Sequence, residues 1–185
     1  MRGLVLCLAF CAAPVLAQSP LPFDVGGAFS LTDQAGATRT QADPDGLPQL
    51  LFFGYANCQE ICSATLPMMA DVADILAARD VALRLVMVTV DPARDTVATL
   101  GPALARIRPG FVGLTGSDAA LQIAYDAYQV DSEEVFFDPE FGPVLAHGSF
   151  IYLLDGAGAV QTLLPPILAA DQVADIVAGY LEPSG

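Results

Sequence analysis

Two uninterrupted apolar runs constrain this chain more than any other feature. "PQLLFFGYA", 48–56, and "VALRLVMVTVD", 81–91, each bring six or more apolar residues together with almost no polar alternation. A strand with one wet face alternates, whereas a strand covered on both faces reads as a continuous apolar run. Between them, residues 62–79 place Leu66, Met69, Val72, Ala73 and Leu76 at helical spacing. Strand, helix, strand is the pattern of parallel strands joined by a covering helix. The rest of the chain extends it. "GAFSLTDQAGATRT" predicts a hairpin around Gln34-Ala35-Gly36. Residues 95–107 predict a helix interrupted at Pro102, and "FVGLTG" a short strand. Residues 117–128 predict a helix capped by Ser117. A polar and aromatic loop is expected over 129–147. A hairpin around Gly156-Ala157-Gly158 and a helix over about 167–181 complete the chain. The expected fold class is α/β, with a mixed central sheet flanked by helices and an N-terminal β-hairpin.

Charge removes one class of function. Twenty-one acids face seven basic residues, all arginine, for a net charge of −14. No basic patch is available to neutralise phosphate, so the chain is expected not to bind nucleic acid. An acidic surface of this kind suits a partner with a basic face, and equally a generally solvated surface.

The N-terminus carries Arg2 and the apolar run Leu4–Ala17, ending in Val15-Leu16-Ala17. The run is short for a bilayer span and has small residues where a signal peptidase reads. Residues 1–17 are therefore expected to be a cleaved signal peptide, 18–28 a linker and 29–182 the folded domain. The expected location is the periplasm; the alternative is an anchor left in the inner membrane. Cys7 and Cys11 fall within the leader. Export also places Cys58 and Cys62 where a disulfide can persist.

Cys58 and Cys62 follow a buried strand and open a helix, within "GYANCQEICSATLP". Spacing of i, i+4 on a helix brings both sulfurs to one face. A disulfide there closes too small a loop to restrain the unfolded chain much. The helix N-terminus favours thiolate, which serves both thiol exchange and metal binding, and local sequence leaves both roles open. His147 is the only histidine. Two thiolates and an imidazole form a soft ligand set, suited to Cu(I) and tolerable to Zn²⁺. Three protein ligands with one open position suit a metal that is passed on.

The chain resembles the Sco/SenC family, thioredoxin-fold copper proteins that assist assembly of the binuclear copper centre of cytochrome c oxidase. The resemblance runs from about Phe29 to Leu181 and rests on "FFGYANCQEIC", "VTVDPARDT" and "HGSFIYLLDGAG", with weaker likeness in "AYDAYQV". It implies a thioredoxin-like fold and a copper site, Cu(I) or Cu(II), formed by Cys58, Cys62 and His147. It also implies that the histidine segment lies over the start of the cysteine helix. The family usually has proline after each cysteine; here Gln59 and Ser63 stand there. The implied function is that of an exported metallochaperone delivering copper to the apo copper-site subunit of cytochrome c oxidase. The alternative is a thiol–disulfide reductase, with Cys58 and Cys62 as the redox-active dithiol, that keeps the recipient's cysteines reduced. Further partners would be another periplasmic copper chaperone or a thioredoxin-like reductase. Asp91 is either a turn residue before Pro92 or a group that orients the site. Arg94 and Asp95 are candidates for holding their own loop, with Asp95 or Thr96 capping the next helix. Met68 and Met69 read as core rather than ligands. Tyr55 and Asn57 read as packing and loop hydrogen bonds. Phe136, Phe137 and Phe141 either dock a partner or pin a long loop to the body.

Overall fold

The structure, a computed structural model, describes residues 21, 24–56 and 61–181. The leader, Asn57, Cys58 and Gln59 lie outside the described residues. Both apolar runs are strands of one seven-stranded sheet: β3 (Gln49–Gly54) pairs in parallel with β4 (Arg84–Thr89). All six residues of β3 are buried, which is why its sequence does not alternate. The remaining strands are β1 (Leu31–Asp33), β2 (Thr38–Arg39), β5 (Val112–Thr115), β8 (Ile151–Leu154) and β9 (Val160–Leu164). Their order is β2-β1-β5-β4-β3-β8-β9. The three central strands are parallel, and β1, β8 and β9 run antiparallel to their neighbours, so the sheet is mixed.

Four helices flank the sheet. α1 (Ile61–Ala77) buries Leu66, Met69, Val72 and Leu76 and packs against α4 (Ala170–Leu181), which contributes Val173, Ala174 and Val177. α2 (Val97–Ala105) lies on β5, where Gly113 allows the close approach. A Cβ there would stand 2.7 Å from Leu104 Cδ1. α3 (Asp118–Tyr128) starts at Ser117, whose Oγ accepts from the N–H of Ala120 at 3.3 Å. Its tyrosines surround Phe53 of β3, with ring centroids 6.0 Å away for Tyr125 and 5.4 Å for Tyr128. Tyr152 of β8 joins them at 5.9 Å and donates its hydroxyl to the Tyr128 carbonyl at 2.8 Å. Burial pushes the Tyr152 phenol up to about 12. Residues 24–28 are tied to the end of α3: Gly26 donates to the Ala127 carbonyl, and Gln129 to that of Asp24.

Two sequence expectations change. Pro102 lies inside α2 without interrupting it, although it removes one helical donor. The segment 129–147 is not a loop but contains a second sheet, the antiparallel hairpin β6 (Ser132–Asp138) and β7 (Gly142–His147). β6 buries neither face, so no apolar periodicity marks it.

The far end of the sheet from the cysteine segment is held by Asp43. Its side chain is fully buried and pairs with Arg84 at 3.0 Å and Arg39 at 3.4 Å. Burial alone would raise its carboxyl. Arg84 and the N–H groups of Leu47 and Asp45 outweigh that, holding it below the usual carboxylate range. A depressed folded value means stability present above the unfolded value of about 3.9 and lost as pH falls through the folded one. Asp43→Ala is therefore expected to lower unfolding free energy at pH 7 by about 2 kcal/mol and to flatten the loss of stability on acidification. Denaturant titrations across pH 2–7 would check both; an unchanged acid limb would show that Asp43 is not responsible.

Candidate metal site at the end of the third strand

β3 delivers the chain to the cysteine segment, and three contacts fix where it arrives. Asp95 is buried, and its Oδ2 accepts from the Ala56 N–H at 2.9 Å and from the Thr89 hydroxyl at 2.8 Å. Ala56 is two residues before Cys58, so this carboxylate anchors the strand exit at the edge of the dithiol segment. Burial pushes the Asp95 carboxyl up, against the two hydrogen bonds that favour its charged form. Asp95 thus does not cap α2. Thr96 occupies the cap position, and its N–H donates to Thr99 Oγ1 at 2.8 Å.

Tyr55, also buried, is the second contact. Its hydroxyl accepts from the N–H of Leu145 at 3.3 Å, linking the strand exit to β7. Tyr55 is a packing and hydrogen-bonding residue, in line with the sequence reading. The third contact is His147, the last residue of β7. Its ring stands edge-on to Phe52 at 5.7 Å and to Tyr55 at 5.9 Å between centroids. Its Nδ1 lies 2.9 Å from the Gly148 carbonyl oxygen. The imidazole is half-buried and borders a cleft of about 680 Å³ that Asp131, Ser132 and Glu133 also line.

Arg94 ties these parts together. It pairs through Nε with the buried carboxylate of Asp91. Its other nitrogens donate to the carbonyls of Phe141, at 2.5 Å, and Pro143, at 2.8 Å. The guanidinium carbon also stands 5.4 Å from the centre of the Tyr55 ring. One arginine therefore joins the β4–α2 loop, the strand exit and the turn of the β6–β7 hairpin. Gly142 makes room for it: its φ of +83° suits glycine, and a Cβ there would meet Arg94 Nη1 at 2.7 Å. The sequence suggested Arg94 as a support for its own loop. It does that through Asp91, and it also holds a hairpin nearly fifty residues away. Asp91 is a turn residue, its N–H donating to Thr89 Oγ1 and its carbonyl accepting from the N–H of Asp95, and its carboxylate pairs with Arg94.

Of the three expected copper ligands, His147 is placed at the strand exit. Cys62 lies in the first turn of α1 by its backbone, and Cys58 falls outside the described residues. Among the described residues no cluster of three potential ligands forms, and the two sulfurs are not among them. Met69 is fully buried and Met68 packs against the core, as the sequence suggested. Phe136 and Phe137 are exposed, so the reading in which they pin the segment to the body is not what the fold uses them for.

The model of the SCO1/SenC family matches residues 17–182. An SCO2-like protein of Rickettsia felis is 34% identical over 137 residues, covering 72% of this chain. The chain spans 66% of that relative's length, just under two thirds. Protein SenC of Rhodobacter capsulatus is 32% identical over 162 residues, covering 85% of this chain and 71% of the relative. Among solved structures, Arabidopsis thaliana ScoI with copper bound superposes with a TM-score of 0.79 at 26% identity, over 85% of this chain and 98% of that one. The thioredoxin-like α/β fold, the hairpin that brings His147 to the third strand and the match over nearly the whole chain agree: this protein belongs to the SCO1/SenC family.

Proposed function

We propose that this protein binds copper as cargo through Cys58, Cys62 and His147 and delivers it to the binuclear copper site of cytochrome c oxidase during assembly. The observation that carries the reading is the placement of His147. The hairpin sets its ring against Phe52 and Tyr55, three residues before Cys58, with a carbonyl at Nδ1. Nδ1–H donated to Gly148 leaves the ring's lone pair on Nε2, the form of imidazole that ligates a metal. A role confined to thiol exchange needs no imidazole there. The ligand chemistry agrees: two thiolates and an imidazole satisfy Cu(I) and leave it exchangeable. The copper bound by a relative of the same fold supports the choice of metal. Delivery is ligand exchange, in which the recipient's side chains replace the two sulfurs and the imidazole one at a time and no electron is transferred. Export through the leader at 1–17 would put the protein where such a recipient domain lies. Among the described residues no helix is long and apolar enough to cross a membrane.

The second reading rests on the same dithiol. Cys62 lies in the first turn of α1 by its backbone, and a helix N-terminus in general favours thiolate. In that role the pair gives two electrons and two protons to a disulfide of the recipient and becomes the Cys58–Cys62 disulfide, to be reduced again by a thioredoxin-like partner. A transfer assay separates the two. Copper-loaded protein is mixed under anaerobic conditions with the apo, already reduced, copper-site domain of the oxidase. The expected result is a loaded recipient and an apo donor with two titratable thiols. A recipient that stays empty when reduced, but has its disulfide opened when oxidised, would support the reductase reading instead.

A further inference from the structure

Resting on the copper-carrying reading, we infer that the β6–β7 hairpin is the docking element for the receiving protein, and that the receiving surface is an apolar groove rimmed by Lys and Arg. Three consecutive apolar side chains on β6 face water: Val135 is 60% exposed, Phe136 52% and Phe137 66%. Phe141 at the hairpin turn and Phe150 just beyond β7 are exposed as well. Together they are the exposed phenylalanines among the described residues, gathered within sixteen positions. A bulge between Glu134 and Phe136 breaks the regular alternation where the apolar residues begin. An apolar patch of this kind with a polar rim marks an interaction surface.

The rim identifies the occupant. Asp131, Glu133, Glu134, Asp138 and Glu140 flank the three apolar residues along the hairpin, and from residue 109 to 185 the chain has no Lys or Arg. A second copy would set these acids against their equivalents, and an anionic lipid surface would be repelled in the same way. A basic-rimmed protein surface satisfies both halves of the patch: aromatic anchors bury in its groove while the charges steer approach. β7 ends in His147, so a partner seated on the hairpin is brought beside the proposed ligand.

The test uses the apo copper-site domain of the oxidase as the probe, with calorimetric titration of copper-loaded full-length mature protein at 50 and 500 mM NaCl. The variants are Phe136→Ser/Phe137→Ser and Glu134→Gln/Glu140→Gln. The Phe pair should weaken binding of the domain by at least about 10-fold, and high salt or the Glu pair should weaken it several-fold. Copper uptake by both variants should match the wild type, because neither pair touches the proposed ligands. Unchanged affinity for the domain in the Phe variant, with wild-type copper uptake, would overturn the docking assignment and leave the copper reading standing. So would a Phe-dependent dimer in sedimentation or Phe-dependent binding to phosphatidylglycerol vesicles. A wild-type protein that takes up no copper would remove the copper reading itself and the docking assignment with it.

Discussion

His147→Ala is expected to weaken copper binding by the reduced protein more than about 100-fold while thiol–disulfide exchange at Cys58 and Cys62 continues near the wild-type rate. The change takes away one of three proposed ligands. Losing groups that merely orient a ligand costs about 10- to 100-fold, and a ligand should cost more. It leaves both sulfurs and the first turn of α1 in place. The substitution is tolerable to the fold because the ring is half-buried at the end of β7; it gives up the edge contacts with Phe52 and Tyr55 and the hydrogen bond to the Gly148 carbonyl. Competition titration with a Cu(I) chelator, beside reduction of a model disulfide, reads the two effects separately. Equal copper affinity in the variant would make His147 a packing residue and remove it from the ligand set.

Arg94→Ala is the second large effect. The substitution strands the buried Asp91 carboxylate, which by itself costs about 3–5 kcal/mol when a buried pair loses a partner. Arg94 is about a quarter exposed, so the lower end of that range applies. It also releases the carbonyls of Phe141 and Pro143, and with them the turn of the hairpin that positions His147. Copper affinity should fall about 10- to 100-fold. Arg94→Lys supplies charge for Asp91 but not the planar fork that spans two carbonyls, and should recover stability more than affinity. Denaturant unfolding and copper competition on both variants check this. A lysine variant that restores affinity fully would mean the charge matters and the fork does not.

The central sheet was legible because β3 and β4 are covered on both faces, and burial leaves an apolar run that needs no context to interpret. Ser117 was legible as a cap for the same local reason. The hairpin β6–β7 was not, because its strands pair with each other rather than with the central sheet, β6 is exposed on both faces and β7 is only half-buried, so neither carries an apolar period of two. Pro102 was read as a break, yet α2 accommodates it within nine residues packed on β5 through Leu100 and Leu104. At the site, residue types were enough to suggest the two thiols and the imidazole as one ligand set. Their expected proximity came from likeness to a family, because His147 lies 89 positions after Cys58 and no spacing rule spans that distance. The reach of Arg94 to Phe141 and Pro143, and the burial of Asp95 under Ala56, are tertiary contacts between distant segments. The one local hint was Gly142, a glycine beside a proline at the turn where the arginine needs space.

The most direct measurement is anaerobic copper titration of the mature protein in two states, fully reduced and with the Cys58–Cys62 disulfide formed. The reduced protein should take up one copper, with both thiols lost to titration and thiolate-to-metal bands in the spectrum. The oxidised protein should take up none tightly, because a disulfide sulfur is a poor ligand beside a thiolate. Equal uptake by the two states would contradict a site built on Cys58, Cys62 and His147.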